Sequence, residues 1–350
     1  MRAFILGLSL LAACTGGDDD GTMDGGNTGS DVTSAAWNDG PIGHVFTYST
    51  PLYDVDAHTG SVLRQPTVRG SSGLVAGNGT AYFRHAADSD SADATEWQLP
   101  PGTLDAIPFA AQSLDPFGVV GNEVIGQDNA QSITRTDLTT GVITKVMFPE
   151  DPMAPVACEQ GSIYEHTVYL TCQQISATST KAAMLTYDLD ANAFGPVVVI
   201  GDGTSLVAAS NVTATPAGVV FVLYTGTPPN GATLGTRTAY KITGTTVSAP
   251  VAIPGNSDDL DEQAAAGNTI YLTMGPDQTI VPFDVATMTA GTPIAADHPR
   301  HLIGGGGQIW FGAHGHDGQL GKLNPATGTI EYKAFPLLVS VEIDSLAYSD

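Results

Sequence analysis

The chain has 350 residues, with 12 Lys and Arg against 36 Asp and Glu and only 14% of its residues charged. So few cations cannot neutralise a run of phosphates, which excludes nucleic-acid binding. Hydrophobic residues make up 42%, enough for a large core, while 41 Gly and 22 Pro favour many short strands and turns over long helices.

The chain begins Met1-Arg2, followed by an apolar run from Ala3 to Leu11. That run is shorter than the roughly 20 residues a spanning helix needs, and it reads as a secretory signal. It ends in Leu11-Ala12-Ala13-Cys14. This resembles the bacterial lipoprotein signal, in which cleavage exposes a Cys that carries the lipid. Residues 1–13 are then the signal peptide and Cys14 the lipidation site. Thr15 in the following position, rather than Asp, implies by that resemblance the outer membrane of a Gram-negative envelope, with the side of that membrane left open. An ordinary signal peptide is the alternative. Residues 14–35 are nearly devoid of apolar side chains and carry five Asp. Such a segment buries too little surface to offset its ordering entropy and reads as a flexible acidic tether. Its Asp18, Asp20 and Asp24 lack the closing Glu of a calcium loop. Without Arg2 and the tether, eleven cations face thirty-one carboxylates on residues 36–350. The excess favours cations or basic partners over a bare anionic membrane, and leaves the lipid to hold the protein there.

From residue 36 onward one phrase recurs: an apolar stretch, Asp or Asn, a few residues, a turn residue, then another apolar stretch. It appears at Asp56…Gly60, Asp137…Gly141, Asp188…Asn192, Asp284…Met288 and Asn324…Gly328, with degenerate copies near Gln98…Gly102 and Tyr240…Gly244. Asp or Asn bonds the backbone two residues on and Gly supplies positive φ, so these residues shape hairpins and are not ligands. A second turn signal precedes each copy, as in Gly77-Asn78-Gly79-Thr80 and Gly267-Asn268. Seven units of about forty residues, each with four strands named A to D, predict an all-β, seven-bladed β-propeller of four antiparallel strands per blade. The first unit lacks strand A, and the tail from Val339 to Tyr348 follows the last unit. The tail is therefore expected to supply the missing strand and close the ring. Trp97, Tyr271 and Trp310 read as core strand residues.

Setting Cys14 aside leaves Cys158 and Cys172 bracketing a two-strand pattern, in a compartment that permits oxidation. A disulfide is the favoured reading and two buried thiols the alternative.

The A–B and C–D turns are short, whereas the B–C and D–A segments at the opposite end are longer and more polar, which makes that end the candidate ligand face. Blade seven concentrates ionisable groups there: Asp297, His298, Arg300 and His301 from the D–A segment, and His314, His316 and Asp317 from the B–C loop. Imidazoles with carboxylates suit a ligand or divalent cation or acid–base chemistry, and the alternative is a set of solvated loop histidines. Aligning blade six on blade seven through Ile270 and Ile309 sets Glu262 opposite His301. A second acidic group, Asp88, Asp90 and Asp93, with Asp258, Asp259 and Asp261 on another blade, reads as a weak calcium site or a solvated loop.

The phrase His301-Leu-Ile-Gly-Gly-Gly-Gly-Gln-Ile-Trp-Phe311, continued by Gly318-Gln-Leu-Gly-Lys-Leu-Asn-Pro-Ala-Thr-Gly-Thr-Ile-Glu-Tyr-Lys-Ala-Phe-Pro336, resembles one blade of the streptogramin B lyase (virginiamycin B lyase-like) propellers, within the wider YVTN-type propellers. The resemblance implies a magnesium-assisted elimination that opens an ester, and only His301 carries over by position; for such an enzyme the blade alignment would pair His301 as base with Glu262 as the orienting or metal-holding carboxylate. The family's Glu after Trp-Phe is absent, since Gly312-Ala313 stands there. With the lyase as its rival, the favoured reading is therefore a lipid-anchored binding or scaffold module for a protein or small molecule. By analogy of fold it resembles the outer-membrane lipoprotein propellers that assist barrel assembly.

Overall fold

Short runs of Val, Ile, Phe and Tyr, punctuated by Gly, Asn and Asp, pair most cheaply with their sequence neighbours. The computed structural model shows that local pairing repeated around a ring. It describes residues 43–48, 52–65, 71–85, 95–110, 115–128, 132–149, 156–175, 180–200, 210–225, 235–257, 262–313, 319–334, 343 and 345–350. Seven sheets follow one another, each of antiparallel strands in the order A-B-C-D. Blade three is the plainest: Asp115–Val120, Glu123–Asp128, Ser132–Asp137 and Ile143–Met147. A single 3-10 turn, Gly275–Asp277, is the one helical element among the described residues.

Blade one is built from both ends of the chain, as its incomplete repeat requires. Ser345–Ser349 pairs antiparallel with His44–Tyr48, which pairs in turn with Leu52–Asp56 and then Val62–Arg64. Successive A strands touch one another around the whole ring and so line its axis. That approach demands small residues, and a Cβ on Gly305 would lie 2.1 Å from Cγ of Tyr348. The Tyr348 ring stacks on Trp310, 6.4 Å between centroids, and Trp310 Nε1 donates to the Gly305 carbonyl at 3.2 Å. Blades one and seven therefore share one apolar cluster, with Val45, Tyr53 and Trp310 buried in it. Trp310 and Tyr271 are buried, while Trp97 is half-buried against its blade.

The outermost strands of blades four, five and six are interrupted at Pro196, Pro250 and Pro293. Pro cannot donate to a ladder and survives here because strand D has no outer partner.

The C–D turns close as their sequence dictates. Oδ1 of Asp56, Asp137 and Asp188 accepts the N–H two residues on, at 2.8 to 2.9 Å, and the next N–H as well. Gly60, Gly141 and Gly328 follow with φ near +70°. Cations from one blade then reach the next blade's turn. Arg64 Nη1 donates to Thr103 O at 2.8 Å, Arg135 Nη1 to Leu189 O at 2.8 Å, and Lys241 Nζ to Val285 O at 3.1 Å. Cys158 and Cys172 face each other across strands A and B of blade four and form a disulfide, buried from solvent.

Candidate functional site

Strand A of each blade begins at the B–C/D–A end, at the mouth of the central channel. Counting four residues back from the last A–B pair of each hairpin identifies one equivalent position per blade. In ring order from blade one these are Ser345, Gly73, Pro116, Gln160, Asn211, Glu262 and His301. Five of the seven are polar, and four of those, Asn211 to Ser345, follow one another on blades five, six, seven and one.

Blades six and seven bring two of them together. Glu262 is set just before strand A of blade six, where its N–H donates to Thr273 Oγ1 at 2.7 Å and its carbonyl accepts from Thr273 N at 3.0 Å. Thr273 is fully buried, so this backbone has a fixed support. His301 lies in a bulge of strand A of blade seven, between Arg300 and Ile303. Bulges re-aim side chains, and His301 Nδ1 lies 3.2 Å from Glu262 Oε1 across the blade junction. A carboxylate oxygen only accepts, so Nδ1 carries the hydrogen and the lone pair of the neutral ring sits on Nε2. Both side chains are partly exposed, at 27% and 39%.

The backbone here is strained. His301 has φ +52° and His298 φ +36°, in the left-handed region. Blade two meets the same need at the position equivalent to His301 with Gly73, φ +62°. Holding a histidine left-handed costs about 1 kcal/mol or somewhat more, and such strain gathers at functional sites. Gln278, at φ +52°, caps the 3-10 turn of the blade-six B–C loop and completes the group. Every other left-handed non-glycine residue among those described lies in an A–B or C–D turn.

Around this pair a second one forms. His298 Nδ1 lies 3.1 Å from Asp297 Oδ1, and Gln278 Nε2 lies 3.2 Å from His298 Nε2. Asp297 N–H donates to the Tyr332 hydroxyl at 3.0 Å, and burial pushes the Tyr332 hydroxyl pKa up. Arg300 lays its guanidinium against Gly275, where a Cβ would come within 2.6 Å of Cζ. Asp277 holds the turn by accepting from Asn256 N–H at 2.6 Å and Asn256 Nδ2 at 2.8 Å.

Four of the residues expected from sequence on blade seven, Asp297, His298, Arg300 and His301, are therefore placed at this end, with Glu262 beside them. One detail differs. Arg300 and His301 are not loop residues, because strand A already begins at Pro299, and the tilt of the site is set by the strand bulge. Strand D of blade five likewise runs on through Pro254 to Ser257. His314, His316, Asp317, Asp88, Asp90, Asp93, Asp258, Asp259, Asp261 and Cys14 lie outside the described residues. Gln278, Thr273 and Tyr332 escaped sequence reasoning, and only the Pro276-Asp277 step hinted at the turn that presents Gln278. Among the described residues no three His, Cys, Asp or Glu side chains gather as a metal-binding group. Glu262 and His301 supply one oxygen and one nitrogen, short of the six oxygen-rich ligands Mg²⁺ prefers.

No family model and no curated protein matches the chain. Among solved structures it is similar to a hydrazine synthase chain of Kuenenia stuttgartiensis, with TM-score 0.57, 11% identity, and 89% of this chain and 99% of that one covered. It is similar too to the computationally designed Ika8 protein, with TM-score 0.53, 11% identity and coverage of 89% and 92%. A third likeness is to the dihydro-heme d1 dehydrogenase NirN, with TM-score 0.52, 8% identity and coverage of 90% and 76%. Identities this low carry the fold and nothing finer.

Proposed function

We propose that this chain is a lipid-anchored β-propeller of the bacterial cell envelope that binds a protein or small-molecule ligand at the channel mouth, on the face formed by its B–C and D–A segments. The observation that carries the reading is His301, held left-handed in a strand bulge and facing Glu262 from the neighbouring blade at 3.2 Å. A histidine kept where another blade uses glycine is supported by what its side chain does. The polar arc from Asn211 to Ser345 and the neighbouring Asp297, His298 and Arg300 supply both donors and acceptors. Cys14 and the outer membrane belong to this proposal on the strength of Leu11-Ala12-Ala13-Cys14.

In-cell photocrosslinking tests it, with the photoreactive residue at Ala295, beside the site, or at Asn122, on the opposite end. A discrete adduct from position 295 that disappears in His301→Ala and Glu262→Gln supports the reading. Adducts from position 122 alone, or adducts indifferent to both substitutions, overturn it.

The same contact favours a second reading, a streptogramin-lyase-like enzyme. There His301 Nε2 would remove a proton from the carbon next to the one that bears the ester oxygen, a C=C bond would form between the two as the C–O bond breaks and the carboxylate departs, and Glu262 would orient the ring through Nδ1. Magnesium would supply polarisation of the ester carbonyl, but the described residues do not complete its ligand set. Incubating the purified chain with a streptogramin B and Mg²⁺, and finding linearised product that His301→Ala abolishes, would establish it.

A further inference from the structure

Large apolar side chains left in water gather, among the described residues, mainly on one part of the perimeter. Among the described residues, Val62, Leu63, Leu104, Ile107, Val142 and Met147 are between 42% and 61% exposed, and all lie on strand D of blades one, two and three or in the turns leading into it. Val199 on blade four is the remaining one, and the described residues of blades five to seven contribute none. Single exposed apolar residues are ordinary, but six on three consecutive blades make a surface that asks for an occupant.

Its position identifies the occupant. Val62 follows the blade-one C–D turn directly, Leu104 the blade-two turn and Val142 the blade-three turn, so most of the patch sits toward the A–B/C–D end, with Met147, opposite Ser132, at the other. The chain enters the propeller at that same end of blade one. His44 pairs with Asp56, and Gly43 O accepts from Ala57 N–H inside the blade-one turn at 3.0 Å. The segment between Cys14 and the disc, Thr15 to Ile42, therefore joins the described chain at Gly43, at the same end of blade one as Val62 and Leu63. Its 28 residues span at most about 100 Å, which confines the patch to the neighbourhood of the membrane. The charge fits as well. In a chain with three carboxylates for each cation, residues 61–65, 102–110 and 141–147 hold one carboxylate, Asp105, so little of the chain's negative charge stands on the patch.

We propose that the outer strands of blades one to three rest on the lipid surface to which Cys14 is tethered, with Leu63, Leu104 and Val142 among the side chains entering its interfacial layer. The mouth bearing His301 and Glu262 then faces away from the membrane, open to its ligand. This rests on the lipid anchor proposed above. The acyl chains supply the affinity; the patch supplies the orientation.

The test uses the full chain, purified with its lipid and reconstituted into vesicles of phosphatidylethanolamine and phosphatidylglycerol. A Leu104→Trp reporter is compared with Ala252→Trp on the outer strand of blade five. Lipid brominated near the top of its acyl chains should quench the emission contributed at 104 roughly twofold and leave that at 252 unchanged, since interfacial side chains sit about 5–10 Å deep. Equal quenching at both sites, or none while the protein co-sediments with vesicles, overturns the proposal. Intact mass separates this from the anchor. If Cys14 carries no acyl group the anchor reading fails, and quenching at 104 in vesicle-bound protein still decides the patch. A dimer in detergent that Leu104→Ser with Val142→Ser splits into monomers would assign the surface to a second copy and overturn the membrane.

Discussion

The two ends of the propeller use the same residue types for opposite purposes. At the A–B/C–D end carboxylates close on the segments they belong to, so Asp137 Oδ1 accepts the N–H groups of Thr139 and Thr140 at 2.9 and 2.7 Å. At the other end Glu262 reaches between blades, to His301. Histidines divide likewise. His166 pairs with Asp190 of its own blade at 2.9 Å, with side chains 63% and 76% exposed, whereas the His301 pair is half as exposed and spans a blade junction. Left-handed backbone completes the contrast. In the turns it is what a tight reversal needs; at the mouth it interrupts a strand that glycine would serve better. A polar residue satisfied by its own turn is framework, and one displaced from easy geometry to face another blade marks the site.

That division predicts where stability resides. Asp54 is 1% exposed and is held by Arg64 Nε at 2.5 Å and His44 Nδ1 at 2.8 Å, while Arg64 carries the link to the blade-two turn. Arg64→Met leaves a buried carboxylate without its guanidinium, which costs about 3–5 kcal/mol. Chemical denaturation should show that loss, while crosslinking at the mouth persists under native conditions. Glu262→Gln should do the reverse, changing the crosslink with a small effect on the denaturation midpoint. If the two substitutions cost the same stability, the contrast between the ends is broken.

A middle-sized effect sharpens the comparison. His301→Gly removes a left-handed Cβ and should raise stability by about 1 kcal/mol while abolishing the crosslinked adduct. Glu165→Gly makes the same exchange in the blade-four A–B turn, at φ +52°, and should gain about as much without touching the adduct. A loss of stability in His301→Gly would mean that the contact with Glu262 outweighs the strain.

Much of this framework was legible in the residues. Turn chemistry is local, so Asp56, Asp137 and Asp188 could be read as hairpin formers, and a missing first strand required Ser345–Ser349 to close the ring. The pairing of Cys158 with Cys172 followed from two facing strands. Counting between blades even set Glu262 against His301, because repeats convert sequence offset into angular position. The rest left no pattern. Arg135 and Lys241 bind backbone carbonyls of other blades, and every residue type offers a carbonyl. Arg300 against Gly275 and Gln278 against His298 depend on a bulge and a single 3-10 turn, neither of which has a period to detect. The apolar rim was invisible for a related reason. Alternation in Ile143–Met147 says which residues share a face, and only the assembled ring says that no further strand covers them.

The smallest effect concerns protons at the turn end. Hydrogen bonds from the Thr140 backbone N–H and then its hydroxyl hold the Asp137 carboxyl below the usual range, and Thr287 does the same for Asp284. A carboxyl with a depressed folded pKa stabilises the fold above its unfolded pKa, and the contribution disappears as pH falls through the folded value. The Asp190 carboxylate beside His166 shifts that imidazole upward, through its hydrogen bond first and its charge second. Its contribution is complete below the unfolded histidine pKa and is lost as pH rises through the folded one. The turn end should therefore be most stable between the ordinary carboxylate and histidine ranges. Asp137→Ala should flatten only the acid limb of the stability profile, and His166→Ala only the limb above neutrality. NMR titration of both side chains checks the cause directly. An Asp137 midpoint at the ordinary carboxylate value would show that the turn hydrogen bonds, close as they are, shape the hairpin without holding the charge.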